Sequence, residues 1–417
     1  MLKITIPNNN IAERKYILDV IFNEFLGLEI EVIANNDCQD WVIELENQKL
    51  LTIKDTFFSK FPKDLEYLKL ENIPSKIEEL DIFAACFFML TRWEEYVNKN
   101  RDSHDRFPAY ESLAYKRGFL DRPIVNEYVE ELKNKLLKLD NNLKFKTHNF
   151  NLILTHDVDT PLKYRTFLNG FREIAGDIIK RKDIKLAISN ILQKIKVTLG
   201  LQKDPFDTFD YLMDVSESVG VKSYFFFMGK GLSKFDNMYK SSDKFISYLI
   251  SKIKKRGHNI GMHPTYNAYN DATQFIKEKQ ELEKNLYTKI TFGREHYLRF
   301  EVPTTWQMWE DNSMKWDSTC SYADKEGFRC GVCYEYSVFN ILTREKLNLK
   351  EKPLIVMEGS FVTYQPDIKP IEMEKKIQYL INQVKKYNGD FVFLWHNSSF
   401  NTAQWKKYQD IYERVLK

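Results

Sequence analysis

Cysteine is scarce in this chain. Cys38, Cys86, Cys320, Cys330 and Cys333 are scattered through 417 residues, which excludes a disulfide framework and fits a reducing cytoplasm. Cys330-Gly-Val-Cys333 has the spacing of a redox dithiol or half a zinc site, yet no second ligand pair exists, so two ordinary buried residues are expected. An excess of one charge is also missing: 62 Lys and Arg face 59 Asp and Glu, leaving no field suited to a nucleic acid or acidic polymer. Long apolar runs are absent. The longest, Phe83 to Leu90, is far short of the ~20 residues of a bilayer span. Met1-Leu-Lys-Ile-Thr-Ile-Pro7 alternates like a short strand and does not resemble a secretory leader, so a cytoplasmic protein is expected. Gly229-Lys-Gly231 is too short for a phosphate loop, and no G-x-S-x-G elbow is present.

The chain's length and its 43% hydrophobic residues suit two globular domains. Residues 1–148 read as a small α+β domain. Strands are expected at 2–6, 28–34, 41–46 and 49–54, and helices at 11–26, 77–98 and 123–138, the last opened by Pro123. Residues 149–417 alternate strands (150–156, 222–228, 258–262, 295–300, 315–318, 354–358, 390–396) with helices (206–219, 241–256, 271–287, 304–313, 370–387). That order predicts an α/β fold, either a parallel (β/α) barrel or a doubly wound sheet. A helical insertion at about 163–205 carries ten basic and four acidic residues. A solvated surface helix is its plainer reading; the sharper one is a lid touching an anionic membrane or a phosphorylated substrate.

The polar groups gather where strands end. Asn151-Leu-Ile-Leu-Thr-His-Asp-Val-Asp-Thr160 is an apolar run finishing in His156, Asp157 and Asp159, and the two-residue spacing puts both carboxylates on one side of an extended chain. One can bind a cation while the other takes a proton, although aspartates also end strands as turn formers. Gly257-His-Asn-Ile-Gly-Met-His-Pro-Thr-Tyr-Asn267 adds His258 and His263. Of seven histidines, five (His156, His258, His263, His296, His396) fall at candidate strands of this half, a concentration that favours a site over packing.

These residues resemble the polysaccharide deacetylases of carbohydrate esterase family four, and more closely a branch with an additional N-terminal domain met in bacterial surface-polysaccharide loci. Thr155-His-Asp-Val-Asp159 is similar to the family's first motif and Gly257–Asn267 to its second. Leu298-Arg-Phe300, Trp316-Asp-Ser-Thr-Cys-Ser-Tyr322 and Leu394-Trp-His396 follow in order as the third, fourth and fifth. Leu90-Thr-Arg-Trp-Glu-Glu-Tyr96, Arg106-Phe-Pro108 and Glu111-Ser-Leu-Ala-Tyr115 extend the likeness into the first domain. The resemblance implies a distorted (β/α) barrel after a smaller α+β domain, and a divalent metal, zinc in that family, held by Asp159, His263 and Asn267. It also implies Asp157 as general base, Arg299 orienting it, Asp317 among the catalytic residues and His396 as general acid.

The sequence departs from the family at two points. Val158 separates aspartates that are adjacent there, and Asn267 stands where a second metal histidine belongs, leaving His296 as an alternative ligand. The implied activity is removal of an N-acyl group, N-acetyl first, from a nucleotide-linked, lipid-linked or polymeric sugar during surface-polysaccharide biosynthesis. A catalytically degenerate carbohydrate-binding scaffold, or an O-acetyl esterase, is the alternative.

Overall fold

Alternating apolar positions build the first sheet. In β1 (Leu2–Pro7), Leu2, Ile4 and Ile6 enter the core while Lys3 stays exposed. β1 pairs in parallel with β2 (Ile30–Asn35) and antiparallel with β3 (Trp41–Glu44), and β4 (Leu50–Ile53) completes the order β2-β1-β3-β4. This computed structural model describes residues 1–164, 184–229, 231, 233–236 and 239–417. The helix expected over 11–26 is α-helical at Ile11–Leu18, widens to a π-helix at Asp19–Leu26, and stops at Gly27 with φ 68°. The one expected over 77–98 is two helices, Ile82–Thr91 and Trp93–Val97. Arg92 divides them at φ 53°, with its guanidinium held by Glu95 and Tyr322.

The second sheet makes the fold mixed α/β. Its strands are β5 (Asn151–Val158), β6 (Tyr224–Phe227), β7 (Asn259–Met262), β8 (Phe292–Gly293), β9 (Trp316–Asp317), β10 (Tyr336–Asn340), β11 (Glu345–Glu351), β12 (Val356–Met357) and β13 (Asp390–Leu394). They lie in the order β10-β11-β9-β8-β7-β6-β5-β13-β12, all parallel except the β10–β11 hairpin. Among the described residues the ladder runs from β10 at one edge to β12 at the other without a pairing that closes it into a barrel. The strand expected at 295–300 is instead two-residue β8 followed by a tight turn, His296–Leu298, in which Tyr297 and Leu298 have φ of 62° and 56°. Helices Phe209–Ser218, Lys244–Lys255, Ala272–Leu286, Thr304–Asp311 and Pro370–Lys386 lie where the periodicity puts them. Of the basic insertion, residues 165–183 lie outside the described residues; its second half contains the helix Ile184–Thr198.

Most buried apolar side chains form one continuous cluster from Leu2 to Val415, spanning both sheets, beside a small second one around Leu354 and Leu394. Two buried phenols tie the halves: Tyr16 Oη donates to the Ser337 carbonyl and Tyr336 Oη to the Leu90 carbonyl, each at 2.9 Å.

Candidate active site

The carboxyl ends of β5, β7, β8 and β13 meet at one rim, the edge where parallel sheets expose strand-end side chains. β5 is pinned between neighbours, with Leu394 opposite Thr155 and Phe226 opposite Asp157. Asp157 and Asp159 consequently face the same group: His263 Nε2 is 3.8 Å from Asp157 Oδ2 and 3.1 Å from Asp159 Oδ1. β8 lies so close to β7 that a Cβ on Gly293 would fall on the Met262 carbonyl oxygen. This approach sets Arg294 and His296 beside His263.

Asp159, His263 and His296 form a group whose ligand atoms all lie within 4.8 Å of one another. Each histidine is presented for coordination by a partner behind it. His263 Nδ1 is 2.6 Å from the Arg294 carbonyl, which can only accept, so the proton sits on Nδ1 and Nε2 turns toward Asp159. His296 Nδ1 is 3.2 Å from Asp236 Oδ1, a carboxylate also held by the amides of Tyr266 and Ser233, while its Nε2 lies 3.6 Å from Asp159. Asp159 Oδ1 is buried without a well-aligned donor. Burial would raise its pKa, but His296, His263 and His396 outweigh that and hold the carboxyl well below its ordinary range. An anionic oxygen short of donors beside two oriented imidazoles is a donor set that fits a divalent cation.

A carboxylate and an imidazole flank this group. Asp157 Oδ1 accepts from Arg294 Nη1 at 3.0 Å, and Arg294 is fully buried and fixed by Thr155 Oγ1 and by the carbonyl and hydroxyl of Ser318. On the other side, His396 Nε2 lies 3.5 Å from Asp159 Oδ2 while its Nδ1 donates to Glu358 Oε1 at 2.7 Å. Burial opposes charge on this imidazole, but Glu358, with Asp159 and Asp157 beyond it, pushes its pKa up to about 10. Asp159 and His396 are 25 and 17% exposed, whereas Asp157, His263 and His296 are nearly sealed, so the site opens over Asp159 and His396.

Several expected residues lie elsewhere. Arg299 does not touch Asp157: it donates to the carbonyls of His104 and Tyr266, stacks on Tyr266 and Tyr269, and reaches Asp105 at 3.4 Å. The strand it was expected to end has already finished at Gly293, which gives the strand-end position to Arg294. Asn267 is exposed at the head of a short 3-10 turn, and the residue that joins Asp159 and His263 in the candidate group is His296. Asp317 is buried, accepts from Thr319 Oγ1 at 2.5 Å, and burial raises its pKa; its carboxylate neighbours are Glu351 and Glu295. His156 donates Nδ1–H to the Trp395 carbonyl and faces Ser223 with Nε2, a core histidine. His258 likewise serves structure, receiving the Ser223 amide. Cys330 and Cys333 are buried thiols.

Residues that the sequence did not single out complete the site: Arg294, Asp236 and Glu358, with the 102–106 turn at its mouth. There Arg106 donates to the Tyr297 carbonyl and Tyr364 hydroxyl, and His104 faces Tyr266. Arg294 follows a two-residue strand that shows no period, and Asp236 stands in a loop without a signature.

Residues 2–141 match a family of unknown function, DUF7033. No curated protein matches the chain. Among solved structures it is similar to one described as a "putative polysaccharide deacetylase" from Mycobacterium smegmatis, at 13% identity over 66% of this chain and 85% of that one, with a TM-score of 0.40.

Proposed function

We propose that this chain is a metal-dependent hydrolase that removes an N-acyl group, N-acetyl first, from a sugar in surface-polysaccharide biosynthesis. The observation that carries the reading is the Asp159–His263–His296 group flanked by an arginine-held carboxylate and a carboxylate-held imidazole. Two imidazoles and one carboxylate suit zinc better than calcium or magnesium, which prefer all-oxygen shells. An ion held there supplies Lewis acidity for the acyl carbonyl and for water.

The chain's own groups do the proton work. Asp157, aimed by Arg294, takes a proton from the attacking water as its oxygen bonds to the acyl carbon. His396, protonated through Glu358, gives its proton to the nitrogen as the C–N bond breaks, since an amide nitrogen leaves poorly as an anion. The products are an amino sugar and a short carboxylate. A nucleotide, a lipid and a polymer are the three carriers to test, and the assay spans all of them. Acetate or formate release from such N-acyl sugars is measured before and after chelation and after zinc is restored. Release that disappears with chelator and returns with metal supports the reading; absence of release from every substrate by the zinc-loaded protein refutes it.

A further inference from the structure

The helix Ile184–Thr198 is amphipathic in the wrong sense for a solvated surface helix. Ile184, Ile188, Ile191, Leu192, Ile195 and Leu199, just past its end, are 39–67% exposed. At about 100° per residue they share one arc roughly 100° wide. Its inward side is small and mostly polar, with Ala187 and Asn190 as the buried residues: Asn190 Oδ1 accepts from Lys163 Nζ at 2.9 Å and Gln193 Oε1 from Tyr164 Oη at 2.9 Å. A surface helix normally turns its apolar stripe to the core and its amides to water. Between Ile184 and Lys203 the chain carries Lys185, Lys194, Lys196 and Lys203 and no carboxylate, and Lys185 and Lys196 are exposed beside the stripe.

We propose that this face docks on an anionic lipid bilayer, with the isoleucines and leucines entering the headgroup boundary and the lysines meeting lipid phosphates. Charge complementarity selects this occupant, because a second copy of the chain would bring the same lysines against its own. No described helix is long and apolar enough to cross a membrane, so the helix would lie in the interface plane. Its inward side lines a cavity of about 840 Å³ shared with Thr160, Ser398, Asn401 and Gln404. Thr160 follows Asp159 and Ser398 lies two residues past His396, so a docked bilayer would sit about one helix diameter from the cavity beside the site. That the substrate is therefore lipid-carried rests on the hydrolase reading; the docking does not.

Flotation of the full chain reads docking alone, with vesicles of phosphatidylcholine containing about a third phosphatidylglycerol compared with pure phosphatidylcholine. The expected result is flotation with the anionic vesicles only, reduced at least about tenfold by added salt, by Ile188→Asn with Ile195→Asn, and by Lys185→Glu with Lys196→Glu. Both double variants should melt like wild type, since these side chains are solvent-facing. Three outcomes overturn the proposal: no flotation of wild type, flotation of both variants equal to that of wild type, or a dimer in size-exclusion chromatography that the isoleucine changes dissociate without any vesicle binding. A failed hydrolysis assay leaves docking standing, and failed flotation leaves hydrolysis standing.

Discussion

Arg294 is fixed by four hydrogen bonds from a fully buried fork, only one of them to Asp157. Lysine has a point charge and no planar fork, so Arg294→Lys should leave Asp157 mis-aimed. We expect kcat to fall about 100-fold with KM nearly unchanged, while Arg299→Lys, which disturbs only the turn at the mouth, costs less than tenfold in kcat; steady-state kinetics on both variants decides. His396 offers a test of bond type. An ester releases an alcohol with less help than an amide releases an amine, so His396→Gln should reduce amide turnover by roughly 10²–10⁴ and ester turnover much less. Equal losses on the two substrates would show that His396 positions other groups and is not the acid. His156 contributes to the pH dependence of stability. Burial pushes its pKa down to about 4, against roughly 6.5 unfolded. The unfolded chain therefore binds the extra proton between those values, and stability is lost as pH falls through that window, by about 3 kcal/mol in total. Urea titrations at pH 7 and pH 5 should show this slope in wild type and a flatter one in His156→Gln; parallel slopes would mean that His156 is not the group responsible.

Among elements, β8 has the greatest leverage with the fewest residues. Its two residues hold β7 at a distance only glycine permits, and Arg294 and His296 follow directly. Gly293→Ala pushes a methyl against the Met262 carbonyl, so it should cost about 1–3 kcal/mol and weaken zinc binding, measured by urea unfolding and calorimetry. Gly359→Ala, whose added methyl meets only the Met357 side chain at 3.7 Å or more, is the control and should change neither. The brevity of β8 also explains what the sequence conceals. β5, β6, β7 and β13 are runs of four to eight residues with readable apolar patterns, and Asp157, Asp159, His263 and His396 follow from them. A two-residue strand has no period to read, and the expected boundary slipped past it, exchanging Arg294 for Arg299. In the unread β10–β11 hairpin, β11 alternates its leucines with lysines and an asparagine on a partly exposed face, while β10 is a five-residue buried run too short to show a period. Asp236 and Glu358 act only through histidines distant in sequence, a relation that spacing does not encode.

At the scale of the whole molecule, the two sheets are joined through charge as well as through the shared apolar core. Glu95 is buried between two arginines. Arg329 and Arg92 each donate Nε–H to its Oε1 at 2.9 Å, and Arg92 continues to the Tyr322 hydroxyl at 3.2 Å. Burial would raise the Glu95 pKa, but the two guanidiniums bring it down to about 2, so the carboxylate stays charged through the physiological range. Buried charges in place of apolar packing are a poor source of net stability, yet removing Glu95 leaves the Arg329 guanidinium desolvated without its carboxylate and Arg92 with only Glu94, at 3.7 Å. Glu95→Ala should therefore cost about 3–5 kcal/mol, and because one cluster of buried side chains runs through both sheets, the loss should lower the midpoint of a single unfolding transition. Urea unfolding followed by tryptophan fluorescence and far-ultraviolet circular dichroism checks this directly. Coincident curves shifted together would show that the first sheet and the site-bearing sheet unfold as one unit. An early transition confined to one probe would show that the ion network, and not the common core, is what holds the first 148 residues against the site-bearing sheet.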